Sequence, residues 1–381
     1  MPRFLHTADW QIGRQYARFE TEDATALAEA RFAAVERLAE VATAEAVDAV
    51  LVAGDLFDAQ TLGDRTLHRT FQAMSGYTGP WLMLPGNHDA ALAESIWHRA
   101  RRIGAIPPNA HLLSEPEPLE LESAGSVILP APLTQRQTPQ DLTAWLDTAN
   151  TADDRLRIGL AHGSVEGQLP EALDATNAIA TNPIAADRAA TARLDYLALG
   201  DWHGLKQIDA RTWYSGTPEP DRFKDNGAGQ ALCVDIDRPG AAPRVTPIAI
   251  GRHAWHQWQR HLTVASDLDA LLAELDALPA MSVLDLTLTG ELDLAGRERL
   301  DRALGAAAGR HRSLQTHRDA LALTPTADDI AALHADGYVG NVIHELQQRQ
   351  TQGDPDADTA RHALGLLAGL LRDQPGQEGQ P

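Results

Sequence analysis

Five times between residues 3 and 204, a short apolar run that reads as a β-strand gives way at once to aspartate, asparagine, glutamine, glycine or histidine. "RFLHTA" (3–8) is followed by Asp9 and Gln11, and "DAVLVAG" (48–54) by Asp55, Leu56, Phe57 and Asp58. "WLMLPG" (81–86) leads into Asn87, His88 and Asp89, and "RIGLAHG" (157–163) carries His162 before its closing glycine. "YLALGD" (196–201) ends in Asp201 and runs on to Trp202, His203 and Gly204. Apolar runs of four to eight residues bounded by such residues are a strand signal. In helix-flanked sheets the carboxyl ends of the strands are the edge where ligand sites collect, so loops far apart in sequence can meet there.

Between these runs the pattern turns helical. Over roughly 23–46, Leu27, Val35, Leu38 and Val41 recur at near-helical spacing, as the stripe of a helix packed on a core does. "SVILPAP" (126–132), "TWYSG" (212–216) and "ALCVDID" (231–237) add further strands. The alternation predicts an α/β fold with a mostly parallel or mixed sheet, flanked by helices, up to about residue 250. A chain of 381 residues exceeds one core, so a smaller domain is expected beyond that point. "HAWHQWQRHLTV", a helix near 266–277, "SVLDLTLTG" (282–290), a helix near 294–308 and "RSLQTH" read as a β-α-β-α-β unit over 251–320, with the tryptophans of "AWHQWQ" in its core. A tail over 321–381 reads as a helix at 327–350, a breaker "GDPD" and a helix at 357–373, with "DQPGQEGQP" disordered at the end.

The bulk composition excludes several classes. A single cysteine, Cys233, rules out an internal disulfide and a cysteine-rich zinc module, and suits a reducing compartment. "MPRFLHTADW" is not a secretory signal and no apolar run approaches membrane-spanning length, so a cytoplasmic protein without a membrane partner is expected. The formal net charge of −21 argues against a surface that attracts phosphate backbones broadly. A polyanionic substrate therefore has to be held by metal ions or by local basic patches.

The strand-end residues supply such a place. Oxygen ligands from Asp, Asn and Gln, combined with imidazoles, suit divalent metals such as manganese or zinc, and the glycines let the turns bring them together. Singly, each of these residues is ordinary turn chemistry. Their joint occurrence at five strand ends predicts a metal centre.

In order along the chain, these blocks resemble the signature of the calcineurin-like metallophosphoesterases: D-x-H, G-D, G-N-H-D/E, a lone H, and G-H-x-H. More narrowly, "FLHTADWQIGRQY", "VAGDLFD", "LPGNHD", "LAHG", "YLALGDWHG" and "YSGTPEPDRF" resemble the SbcD-type DNA repair exonucleases. The resemblance is specific over about residues 1–250. It implies a β-sandwich flanked by helices as the nuclease domain, a small α/β capping domain at 251–320 and a helical C-terminal region. It implies two divalent ions, most simply Mn2+, the first held by Asp9, Gln11, Asp55 and His203 and the second by Asp55, Asn87, His162 and Asp201, with Asp55 bridging. It further implies that His88 stabilises charge at phosphorus or protonates the leaving oxygen, with Asp89 placed to orient it. Two positions depart from the signature. Gln11 and Asp201 stand where histidines would be, and a neutral amide oxygen is a poorer zinc ligand than imidazole.

As implied partners the resemblance gives DNA ends and an SMC-like coiled-coil ATPase docked on the C-terminal helices, where "ALGLLAGLL" (363–371) is suitably apolar; it also admits a homodimer. Arg14, Arg18, His68, Arg69, Lys206, Arg222 and Lys224 lie near the motifs, and the chain has no lysine besides Lys206 and Lys224. Trp10 and Trp202 sit beside ligand positions, where they either stack on a base or sugar or pack behind the metal loops. His6, inside the first strand, reads as a structural histidine. Two other activities remain open on sequence: a phosphodiesterase of small molecules, and a scaffold with a vestigial metal site.

Overall fold

The computed structural model describes residues 1–168, 182–332, 337–351 and 355–373. The chain divides into two compact units, Met1–His253 and Ala254–Pro381.

The first unit holds two six-stranded sheets. One runs in the order Arg244–Ala249, Gln230–Asp235, Arg3–Thr7, Ala49–Val52, Trp81–Met83, Ala110–Leu112. The other runs Lys206–Gln207, Thr212–Tyr214, Tyr196–Gly200, Leu156–His162, Ser126–Ala131, Leu119–Leu121. Central strands pair in parallel, while antiparallel strands sit at the edges. Three of the strands that precede the polar blocks lie side by side in the first sheet and two in the second, so all five blocks emerge from parallel strands.

Strand alternation sorts the side chains into layers. Phe4, Ala49, Leu51 and Leu82 face one way and join Ile128, Ile158, Leu160, Tyr196 and Ala198 of the other sheet in a buried apolar layer. Leu5, Val50, Val52 and Met83 face the opposite way, onto Val35, Leu38 and Ala42 of the helix Thr21–Ala44. A third cluster, with Leu129, Ala161, Leu197 and Leu199, covers the outer face of the second sheet. The fold is thus a β-sandwich flanked by helices. The edge strand Arg244–Ala249 has no counterpart in the sequence reading, because its outward positions are exposed and leave little apolar signal.

His6 ties the two sheets together. Its Nε2 lies 3.1 Å from the Leu199 carbonyl oxygen, which can only accept, so Nε2 carries the proton. Nδ1 is then left to accept from the Tyr196 hydroxyl at 2.9 Å. Complete burial pushes the imidazole pKa down to about 3. Because burial disfavours the charged ring, the folded state loses stability as pH falls from the ordinary histidine value toward 3, by about 1.4 kcal/mol per pH unit. Imidazole nitrogen shifts in NMR are expected to show His6 neutral, as the Nε2–H tautomer, down to pH 4. A His6 that titrates near pH 6 would contradict this packing.

In the second unit, Trp255–Leu262, Val283–Leu292 and Ser313–Leu323 form a parallel three-stranded sheet, with helices Ala265–Ala277 and Leu294–Arg310 between them. Its core is leucine: Leu262, Leu268, Leu271, Leu286, Leu288, Leu300 and others. The "AWHQWQ" tryptophans were expected in that core, but Trp258 packs only at its margin and Trp255 is half-buried. The expected single helix at 327–350 appears as Ala327–Ala332 and Gly337–Thr351, and residues 333–336 lie outside the described residues. Helix Ala357–Asp373 packs on the strand Ser313–Leu323, with Gly365 against the Leu323 carbonyl, so the tail belongs to the same compact unit as the small sheet. Beyond Asp373 the expectation of disorder falls outside the described residues. Among the described residues, no helix is long and apolar enough to cross a membrane.

Candidate metal centre

The polar blocks leave their strands in strained backbone conformations. Asp9, Gln11, Asp55 and Asp201 have φ of 54°, 50°, 54° and 99°. For a residue with a Cβ this left-handed region costs on the order of 1 kcal/mol each, and such strain gathers at functional sites. Backbone bonds hold the bends: Asp9 N–H donates to Gly54 O and Gln11 N–H to Asp55 O, both at 3.0 Å, and Ile12 N–H to Leu56 O at 2.9 Å. Glycine is required where the two sheets close on each other. A Cβ on Gly54, at φ 90°, would overlap the His162 ring, and one on Gly200 would overlap the Ala53 carbonyl.

His162 crosses from the second sheet to the first. Its Nδ1 donates to the Ala53 carbonyl at 2.8 Å, so Nε2 is the nitrogen turned into the site. Nε2 lies 3.6 Å from Asp55 Oδ1, 3.8 Å from Asp201 Oδ1 and 3.1 Å from Asn87 Oδ1. Among the described residues, Asp9, Asp55 and His162 form a group of buried ligand atoms all within 4.8 Å of one another. Asn87 and Asp201 adjoin this trio at His162. His203 adjoins it at Asp9, with Nε2 3.9 Å from Asp9 Oδ1. The Asp201 N–H spans both Asp9 oxygens at 3.2 Å.

The electrostatics suit a divalent cation. Burial, helped by the Asp55 and Asp201 charges, pushes the Asp9 carboxyl up to about 6 against the pull of His203 and His162. Burial disfavours an imidazolium at His162, yet Asp55, Asp9 and Asp201 raise its pKa to about 9. A divalent ion bound by the oxygen and imidazole donors would offset the negative charge gathered there.

The calcineurin-like phosphoesterase profile matches residues 2–205, more than half of the chain and all five polar blocks. The chain belongs to the calcineurin-like phosphoesterase family. Within that family, this phosphoesterase is 30% identical over 290 residues to the Rhodobacter capsulatus protein named as the D component of nuclease SbcCD, covering 65% of this chain and 69% of that one. It is 25% identical over 273 residues to the Bacillus subtilis protein of the same name, covering 62% and 67%. It is 28% identical over 271 residues to the Aeropyrum pernix DNA double-strand break repair protein Mre11, covering 66% and 62%.

At two positions this phosphoesterase's site differs from what its sequence suggests. Asp89 does not orient His88. Its carboxylate accepts from Gly86 N–H at 2.7 Å and Phe57 N–H at 3.2 Å, so it clamps the Asn87 loop to the Asp55 loop. The His88 ring is held instead by the Asp58 carbonyl, 2.8 Å from Nδ1, and the His88 N–H donates to Asp55 Oδ1 at 2.9 Å. Gln11, expected to offer its carbonyl oxygen, turns its amide Nε2 to Asp55 Oδ2 at 2.8 Å, and its buried Oε1 has no hydrogen-bond partner among the described residues. Trp10 is buried in the helix-side core with its indole N–H on the Thr7 hydroxyl, so it packs behind the loops.

The sequence reading also missed a supporting network. Asp221 Oδ2 lies 2.9 Å from His203 Nδ1, beside Arg222 Nη2, which is itself 2.9 Å from the same carboxylate oxygen. Arg31, buried on the helix Thr21–Ala44, approaches Asp221 at 3.9 Å and donates to the Trp10 carbonyl at 2.6 Å and the Tyr16 hydroxyl at 2.9 Å. Burial opposes ionisation of Asp221, but His203, Arg222 and Arg31 hold its carboxyl well below the usual carboxylate range. A sequence signal for Arg31 existed: it falls midway between Leu27 and Val35 on the apolar stripe. Asp221, in an irregular segment, had none. Asp221→Ala takes from the buried Arg31 the carboxylate it approaches at 3.9 Å and is expected to cost about 3–5 kcal/mol in urea denaturation, whereas Arg222→Ala, on the open side, is expected to cost about 1 kcal/mol or less. Equal losses would contradict this network.

Proposed function

We propose that this phosphoesterase is a manganese-dependent nuclease acting on DNA ends, in the cytoplasm, beside an SMC-like ATPase. The observation that carries the reading is the convergence of Asp9, Asp55 and His162 in a family member whose relatives bear the names of nucleases and of a double-strand break repair protein. Asp9, Asp55, Asn87, His162, Asp201 and His203 supply the donors around the centre. The oxygen-rich set favours manganese over zinc. A divalent cation there would polarise the phosphoryl group and lower the pKa of attacking water.

The chain's own groups do the rest. His88 donates Nδ1–H to the Asp58 carbonyl, so its Nε2 can donate to phosphoryl oxygen or protonate the departing oxygen only when the ring carries a second proton there. Asp221 fixes the His203 ring so that Nε2 faces Asp9. Basic groups cluster locally despite the acidic whole. Lys206 and Lys224, the chain's only lysines, both lie over the half-buried Trp202 ring, at 5.9 and 5.6 Å, between Asp201 and His203 in sequence. Arg14 and Arg222 gather at Asp221. Such a patch suits a phosphate backbone entering the site. In this reading residues 251–320 are the capping domain, and the exposed Leu366 and Leu370 of helix Ala357–Asp373 offer the ATPase an apolar face.

Purified protein with Mn2+ is expected to degrade linear duplex DNA, and Asp55→Asn to lower the rate by about 100-fold or more. Lys206→Glu with Lys224→Glu is expected to weaken DNA binding while sparing hydrolysis of bis-p-nitrophenyl phosphate. Turnover of the small diester with no action on any DNA would favour a small-molecule phosphodiesterase. No hydrolysis of either, with Asp55→Asn unchanged, would favour a scaffold.

A further inference from the structure

We infer that the first unit carries a second ligand site, a pocket for a mononucleotide, at the edge of its second sheet opposite the metal centre. None of its residues belongs to a strand-end block, so the inference stands whether or not the metal-dependent reading does.

The strands Leu156–His162 and Tyr196–Gly200 end at the metal centre and begin at this pocket. A strand of that length separates the two by about 20 Å, so a ligand here would not compete for the metal. The pocket has a volume of about 520 Å³, within the range of about 300–1,000 Å³ usual for small-molecule sites. Ala152, Ala189, Leu194, Ala210 and Pro239 give it an apolar wall, while Arg155, Arg157, Arg193 and Arg211 bring positive charge.

Two of these arginines are the decisive ones. Arg157 is buried, and its guanidinium donates to the Leu146, Ala149 and Ala192 carbonyls and the Thr151 hydroxyl, at 2.7 to 3.1 Å. Those acceptors are all neutral, so its charge is held in place without being cancelled by an ion pair. Burial and the Arg193 charge lower its pKa, against the pull of Asp195. Arg193 follows the short helix Arg188–Thr191 at φ 50°, a left-handed position where glycine would sit without strain. Its side chain is exposed and makes no ion pair among the described residues.

Three aspartates also line the pocket, and two are engaged with backbone amides. Asp195 accepts from the Arg157 and Gly240 N–H groups at 2.8 and 2.7 Å, and Asp209 from those of Arg211 and Thr212 at 2.7 and 2.8 Å. Asp153 stays exposed at the mouth. A phosphate on Arg193, in the field of Arg157, with a base against the apolar wall and its N–H edge toward Asp153, uses every part of this lining. Inorganic phosphate would leave the wall unused, and a nucleoside would leave the arginines unused.

Isothermal titration of the full chain in EDTA tests this, with dGMP, GMP, inorganic phosphate and deoxyguanosine as probes. Both nucleotides are expected to bind, and phosphate and the nucleoside to bind at least about 10-fold more weakly. Arg193→Gly, which relieves the backbone, is expected to keep or raise the Tm yet weaken dGMP binding by about 10-fold or more. Asp55→Asn is expected to leave dGMP binding unchanged. Tighter binding of dGMP than of GMP would support the site and identify DNA breakdown products as its source; equal binding would support it as a site for mononucleotides in general. Absence of nucleotide binding, binding unaltered in Arg193→Gly, a Tm lowered in that variant, or binding lost in Asp55→Asn would each overturn the inference. Phosphate binding as tightly as dGMP would overturn the assignment to a nucleotide.

Discussion

Two buried carboxylates and one imidazole, Asp9, Asp55 and His162, are forced together in a space that water cannot reach freely. Like charges at such separations repel strongly in a low-dielectric interior, and burial adds to the cost. No isolated loop would adopt this arrangement. The sandwich around it makes the arrangement tolerable, and a cation makes it favourable. The cluster is thus a site that the fold strains to create and that metal binding relaxes.

Each layer of the first unit contributes to holding it. Parallel strands from both sheets deliver their ends to one edge, and glycine at positions 54 and 200 lets those ends close on each other. His162 and His6 run between the sheets at different depths, one bonded to the Ala53 carbonyl and the other to Tyr196 and Leu199, so their separation is fixed by directional bonds as well as by apolar packing. Behind the site, the buried Arg31 gathers the Trp10 carbonyl and the Asp221 carboxylate, and Asp221 in turn holds His203. A helix at the back of the first sheet is in this way connected to the orientation of an imidazole at the site.

Much of this was legible in the amino-acid order because it rests on local rules. Apolar runs such as "AVLV" and "LRIGLAH" mark buried parallel strands, and the aspartates, histidines and glycines that end them mark the functional edge. What could not be read depends on which atom of a side chain faces which neighbour. The aspartate beside His88 looks in sequence like its partner, yet Asp89 turns to the Gly86 and Phe57 amides while a carbonyl from Asp58 takes the ring. Gln11 occupies the position of a ligand, but an amide has a donor end and an acceptor end, and sequence does not say which end points inward. Asp221 lies ten residues or more from every polar block and reaches His203 only through the folded chain.

The family explains the hydrolytic chemistry, while the two non-histidine positions give this chain its own version of the centre. The most direct measurement is an anomalous difference map from crystals of the protein grown with Mn2+, collected on both sides of the manganese edge. The account requires a manganese peak enclosed by Asp9, Asp55 and the Nε2 of His162. A map without density there, or with manganese bound only elsewhere on the molecule, would contradict it.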